Sequence, residues 1–118
     1  MKSNLKKLAH PGKLITCIVA KGHAVEIAHA LKEKLQIVDF HIHHCRGSGI
    51  SDSQKSSGLT QEMEKDVLLV NVSSERADEV FEFIYFEAKI NEPSSGFMYQ
   101  SHLQAFTPLL LPDLPEEA

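Results

Sequence analysis

Three groups of residues could do chemistry. Arg46-Gly47-Ser48-Gly49 and Ser94-Ser95-Gly96 are runs of small residues, the first headed by a cation. Small residues let the backbone approach an anion, and consecutive amides form a concave nest for phosphate. Glycine and serine are equally ordinary in turns, so a loop hinge is the plain alternative for both runs. The third group is His41, His43 and Cys45, spaced two apart, with His102 later in the chain. Strand residues two apart share a face and could share a metal, but HxHxC falls short of a four-ligand set. Hydrogen-bonded polar lining of an interface, with partners such as Gln100 or Gln104, accounts for the same histidines. No Ser/His/Asp order, paired-carboxylate spacing or nucleotide-hydrolysis motif stands beside them. The chain therefore reads as a binding module and not as an enzyme.

The elements that position these groups must come from one domain, since 118 residues leave too little material for two cores. Apolar residues at 42% and charged residues at 24% fit a globular chain and argue against disorder. A formal charge of −4 puts no positive field behind phosphate neutralisation, so nucleic acid is not an expected partner. No apolar run approaches the ~20 residues of a membrane span. Lys2, Lys6 and Lys7 precede an apolar stretch broken by His10, Pro11 and Gly12, unlike an export signal, and the protein reads as cytoplasmic. Cys17 and Cys45 cannot build a disulfide framework and read as reduced thiols.

Residues 1–12 read as a lead-in ended by Pro11-Gly12. Lys13–Ala20 is a short β-branched run and a strand. From Ala24 through Ile27, Ala28 and Leu31 to Leu35 the apolar residues recur at helical spacing. Val38, Phe40 and Ile42 alternate with Asp39, His41 and His43, the period of a half-buried strand. Residues 46–64 hold five serines and three glycines and predict a long flexible loop. Asp66–Val72 is a third strand. Ser73-Ser74-Glu75 offers a capping serine to a second helix, through Ala77, Val80, Phe81, Ile84 and Ala88. Phe83, Phe86 and Ile90 lie on its other side, more apolar surface than one monomer core covers. Phe97–Phe106 predicts the last strand, and residues 107–118 form a proline-rich tail, with Leu109 to Leu111 expected to pack across a neighbouring subunit.

The order β-α-β-loop-β-α-β predicts an α+β ferredoxin-like βαββαβ sandwich: a four-stranded antiparallel sheet with both helices on one face. Its other face needs cover. The polar set His41, His43, Gln100, His102 and Gln104, taken as one face, points to oligomerisation.

In this order and spacing the chain resembles the PII (GlnB-like) signalling family over about residues 13–106. The marks are Lys21-Gly22 leading into AVEIAHALKEK, a second strand ending in CRGSG, the long loop at the family's T-loop position, and SSGFMY entering the last strand. The resemblance implies a homotrimer that binds adenine nucleotides in clefts between subunits, with Arg46, Gly47, Ser48 and Gly49 from one subunit and Ser94, Ser95 and Gly96 from another. It also implies that loop 46–64 docks on a target protein, a transporter or an enzyme. No tightly bound cofactor or metal follows from it. The family's phosphate-gripping lysine is replaced by Phe97, its C-terminal arginines have no counterpart, and no Lys or Arg follows Lys89. AMP, a cyclic nucleotide or ADP is therefore easier to neutralise than ATP. The loop has no tyrosine to take the family's uridylyl group, so nitrogen sensing is not implied. Two other classes share the topology. A CutA-like trimer associated with divalent metals would use the histidines but leave the serine-rich loop without a purpose. In an acylphosphatase the arginine-bearing loop after the first strand would stand where this chain has AKGHA.

Overall fold

Alternation along the two inner strands, β1 (His10–Ala20) and β3 (Gln61–Ser73), decides which way the sheet faces. Ile15, Cys17 and Val19 of β1 and Leu68, Val70 and Val72 of β3 are buried. Between them, Leu14, Ile18, Val67, Leu69 and Asn71 are only half covered, while Thr16 of the same parity is buried. Successive side chains point to opposite faces, so one face is a core and the other lies open. The computed structural model of the protein describes residues 9–49, 61–93, 95–107 and 109.

Two helices, α1 (His23–Leu35) and α2 (Ala77–Glu87), close the buried face with Ala24, Ile27 and Leu31 and with Ala77, Val80 and Ile84. Each such aliphatic side chain of Val size or larger contributes about 1.5–3 kcal/mol on full burial. The edge strands are β2 (Phe40–Gly49) and β4 (Gly96–Phe106). All pairings are antiparallel and the strand order is β2-β3-β1-β4, the ferredoxin-like arrangement expected from the sequence. Arg76 ties the helices together: Nη2 donates to the Leu35 carbonyl at 3.1 Å and to Glu79 Oε1 at 2.7 Å. A cation suits the orphan carbonyls that end α1. Asp39, just before β2, accepts from Asn71 Nδ2 at 3.2 Å and from the Leu109 amide at 3.3 Å, which brings the described part of the tail to that edge.

Several sequence-based expectations are corrected. The lead-in does not extend to Gly12, because β1 already pairs at His10; a register shift between His10 and Gly12 opposite β4 forms a bulge that accommodates Pro11. Ser73 is the last residue of β3 and caps nothing; Arg76 is the N-cap of α2, with Asp78 and Glu79 supplying the favourable charge. The loop does not start at Arg46, since the β2–β3 ladder runs on from Arg46↔Glu64 to Gly49↔Gln61. Its base is therefore a two-stranded ribbon; residues 50–60 lie outside the described residues, as do 108 and 110–118 of the tail.

The polar set also divides. His41 and His43 oppose Leu69 and Val67 on the open face, whereas Gln100 and His102 oppose Ile15 and Lys13 and share the parity of the core. Sequence parity orders residues within one strand, but only the pairing register relates two strands. Phe83 on α2 and Ile90 in the turn beyond its end do reach the core, and Phe86 alone of the three is left 59% exposed. Among the described residues no helix is long and apolar enough to cross a membrane.

Gly12 is held by sterics: a Cβ there would run into the Val72 carbonyl and the Phe106 ring. Gly12→Ala is expected to lower unfolding stability by about 1–3 kcal/mol, as read from the urea midpoint at unchanged m-value.

Candidate ligand-binding site

At one end of the sheet β1 turns into α1 while β2 and β3 leave as the ribbon. The turn is Lys21-Gly22, with Gly22 at φ 93°, a conformation that glycine adopts without strain. No side chain of the turn caps α1. The cap comes from β3 instead: Gly22 N–H donates to Asp66 Oδ2 at 2.8 Å, and Ala24 N–H reaches the same oxygen at 3.4 Å. The other oxygen, Oδ1, takes a 2.7 Å hydrogen bond from His44 Nδ1, the residue directly across the ladder in β2.

Asp66 is wholly buried and sits on the same parity as Leu68, Val70 and Val72. Burial pushes its carboxyl upward. The hydrogen bonds from His44, Gly22 and Ala24 outweigh that and hold it below the ordinary value of 3.8. The carboxylate is thus ionised at neutral pH, and His44 Nδ1 must be the donor. Asp66 also takes up the partial positive charge at the α1 N-terminus, so that helix end is not open to another anion.

Outside this pair lies an open cleft of about 490 Å³ lined by Lys21, His44, Cys45, Arg46, Glu64 and Lys65. Lys21 Nζ and Glu64 Oε2 are 2.6 Å apart. The hydrogen bond between them lowers the Glu64 carboxyl and raises the Lys21 ammonium, and Arg46, cross-strand from Glu64, lowers the carboxyl further. Lys21 and Arg46 thus stand beside one exposed carboxylate on this face of the sheet, while Lys65, paired with Cys45, directs its side chain to the other face; the arrangement suits a small anion of low charge.

Of the predicted site residues, Arg46 lines this cleft. Gly47, Ser48 and Gly49 continue up the ribbon opposite Met63, Glu62 and Gln61. Ser94 lies outside the described residues, Ser95 precedes β4, and Gly96 opens β4 opposite Val19. Gly96 is at the same end of the sheet as Arg46, but β3 and β1 stand between them, roughly 14 Å at ordinary strand spacing. A single chain therefore does not bring the two small-residue runs together. Gly96 has a structural reason of its own: φ is 131° and a Cβ would strike the Ile18 carbonyl. Among the described residues no group of three or more His, Cys, Asp or Glu side chains could hold a metal ion within one chain.

Lys21, His44, Glu64, Lys65 and Asp66 are the site residues that sequence reasoning missed. The one available signal was Asp66, a carboxylate at the core parity of an otherwise aliphatic strand, where an uncompensated charge is costly. No protein-family model matches the chain, and no curated protein sequence matches it. Solved structures do. The chain is similar to B. subtilis GlnK in complex with ATP (TM-score 0.62, 14% identity, 80% of this chain and 83% of that one). It is similar to B. subtilis GlnK (TM-score 0.61, 14% identity, 79% and 85%) and to Arabidopsis thaliana PII bound to citrate (TM-score 0.56, 15% identity, 77% and 76%). The fold is that of the PII proteins.

Asp66→Asn is expected to cost about 1–3 kcal/mol at pH 7, the scale of charge-assisted hydrogen bonds to a buried acceptor. Because the folded-state carboxyl titrates below 3.8, its contribution is complete above that value and is lost as pH falls through the lower, folded-state one. Urea titrations should show the stability gap between wild type and variant closing as pH drops below about 4.

Proposed function

We propose that the protein is a PII-like regulator, without catalytic activity, that assembles as a homotrimer and senses a small adenine nucleotide. The observation that carries this reading is the cation-lined cleft at the base of the β2–β3 ribbon, in a fold whose solved neighbours include one complexed with ATP and one bound to citrate. Both of those ligands are anions. Here Lys21 and Arg46 against Glu64 balance a nucleotide carrying about one or two negative charges far better than a triphosphate. AMP, a cyclic nucleotide or ADP is the expected class.

Gly47 to Gly49, which the structure holds in the ribbon, and the run Ser94 to Gly96 would meet around one ligand if they came from different subunits. The open sheet face supports such an assembly: Leu14, Ile18, Val67 and Leu69 are half covered, and Phe97 and Tyr99, stacked at 6.2 Å between centroids, are 55% and 48% exposed. An apolar sheet face of this extent calls for cover. The segment from Ile50 to Thr60, carried on the ribbon, then reports the state of the cleft to a target protein such as a transporter or an enzyme.

A thermal-shift panel of AMP, ADP, ATP, cyclic AMP, zinc and copper tests this reading. A nucleotide at a hundredfold excess over its Kd should stabilise by about 2.7 kcal/mol. Arg46→Ala should remove the response while leaving the melting temperature without nucleotide nearly unchanged. A response to metals and to none of the nucleotides overturns the proposal in favour of a metal-binding trimer. Sedimentation equilibrium should give three chains for wild type and smaller species for Phe97→Ser/Tyr99→Ser.

A further inference from the structure

His44 stands in the cleft with its side chain 72% exposed while Nδ1 is committed to a carboxylate that is 0% exposed. An imidazole tied at one nitrogen by a buried carboxylate has its ring plane fixed and presents the other nitrogen in a set direction, as oriented histidines do beside metals and in catalytic dyads. Here that nitrogen is Nε2, on the exposed side of the ring. We propose that His44, positioned by Asp66, contacts the phosphate of the cleft ligand through Nε2–H as an imidazolium, so that ligand binding takes up a proton. This inference rests on the nucleotide reading above and adds a residue and a pH dependence to it.

The charges around the ring set the linkage. Asp66 from β3 favours the imidazolium. Arg46 from β2 and Lys21 from the β1–α1 turn oppose it, while Glu64, bridged to Lys21 and diagonal to His44, favours it. Lys65 and Cys45 pair on the opposite parity and direct their side chains to the other face, and α1 meets the site through the first-turn amides that Asp66 occupies. In the free cleft the two cations and two carboxylates around the ring offset one another. An arriving phosphate adds negative charge beside the ring, and proton and anion enter together. Imidazole is the side chain suited to such a switch near neutral pH.

Isothermal titration of the full-length protein with AMP at about pH 8 and pH 6.5, in two buffers of different ionisation enthalpy, tests the proposal. Adenosine controls for the base, and cyclic AMP provides a phosphate whose own charge is constant over this range. Wild type should bind both phosphorylated ligands more tightly at the lower pH, by about three- to tenfold, with net proton uptake. Adenosine affinity should not change with pH. His44→Gln retains an N–H donor for Asp66 and should remain folded, at some cost in stability, and should bind more weakly with the pH dependence removed. Asp66→Asn should remove it too, whatever its effect on stability, and a merely structural role for Asp66 would leave the pH profile intact. If wild type binds AMP without proton uptake, or His44→Gln retains the same pH profile, the assignment of His44 is overturned and the nucleotide cleft stands. If neither AMP nor cyclic AMP binds at either pH, both readings fall.

Discussion

A carboxylate in the place of an aliphatic side chain organises the functional end of this molecule. Asp66 occupies the core stripe of β3, where burial of an unpaired charge would cost several kcal/mol. It is tolerated because three donors converge on it: two amides at the start of α1 and the ring of His44. Each donor belongs to a different part of the chain from β3, so one buried group fixes the turn after β1, the entry of α1 and the edge strand β2 relative to one another. The cleft lies on the outside of that junction.

This arrangement also separates two kinds of electrostatic work. Asp66 consumes the positive end of α1, so the helix terminus does not serve as an anion site. What the cleft itself presents is side-chain charge from Lys21 and Arg46, moderated by Glu64. The open sheet face is the second constraint. With both helices on one side, Leu14, Ile18, Val67, Leu69, Phe97 and Tyr99 are incompletely covered by the described residues, and Arg46 and Gly96 stand at opposite edges of the sheet.

Much of the architecture was legible because its elements are locally strong. KLITCIVA and DVLLVNV are β-branched enough to be strands wherever they are placed, and AVEIAHALKEK carries helical spacing through Leu31. Boundaries were less legible where a tertiary contact overrode a local signal. Pro11-Gly12 reads as a break, yet Gly12 is drawn into the sheet by the close approach of Val72 and Phe106, and the bulge absorbs the proline. Arg46 to Gly49 and Gln61 to Glu64 read as loop on composition, yet each run has the other to pair with. Backbone hydrogen bonds across a ladder do not depend on side-chain type, which is why composition understated the ribbon.

The alternation of apolar residues by itself determined that this is a βαββαβ sandwich with a one-sided core, since periodicity fixes which face of each element is buried. Arg46 and the two glycine-bearing runs were visible in the same way, as local chemistry. Only the tertiary structure decided what surrounds Arg46. Lys21, His44, Glu64 and Asp66 meet around it through the register of β2 against β3 and the turn into α1, and one residue of slip would send the strand side chains to the other face. Register is set by the whole sheet, so the partners of a charge 20 or 40 residues away cannot be read from the spacing of that charge along the chain.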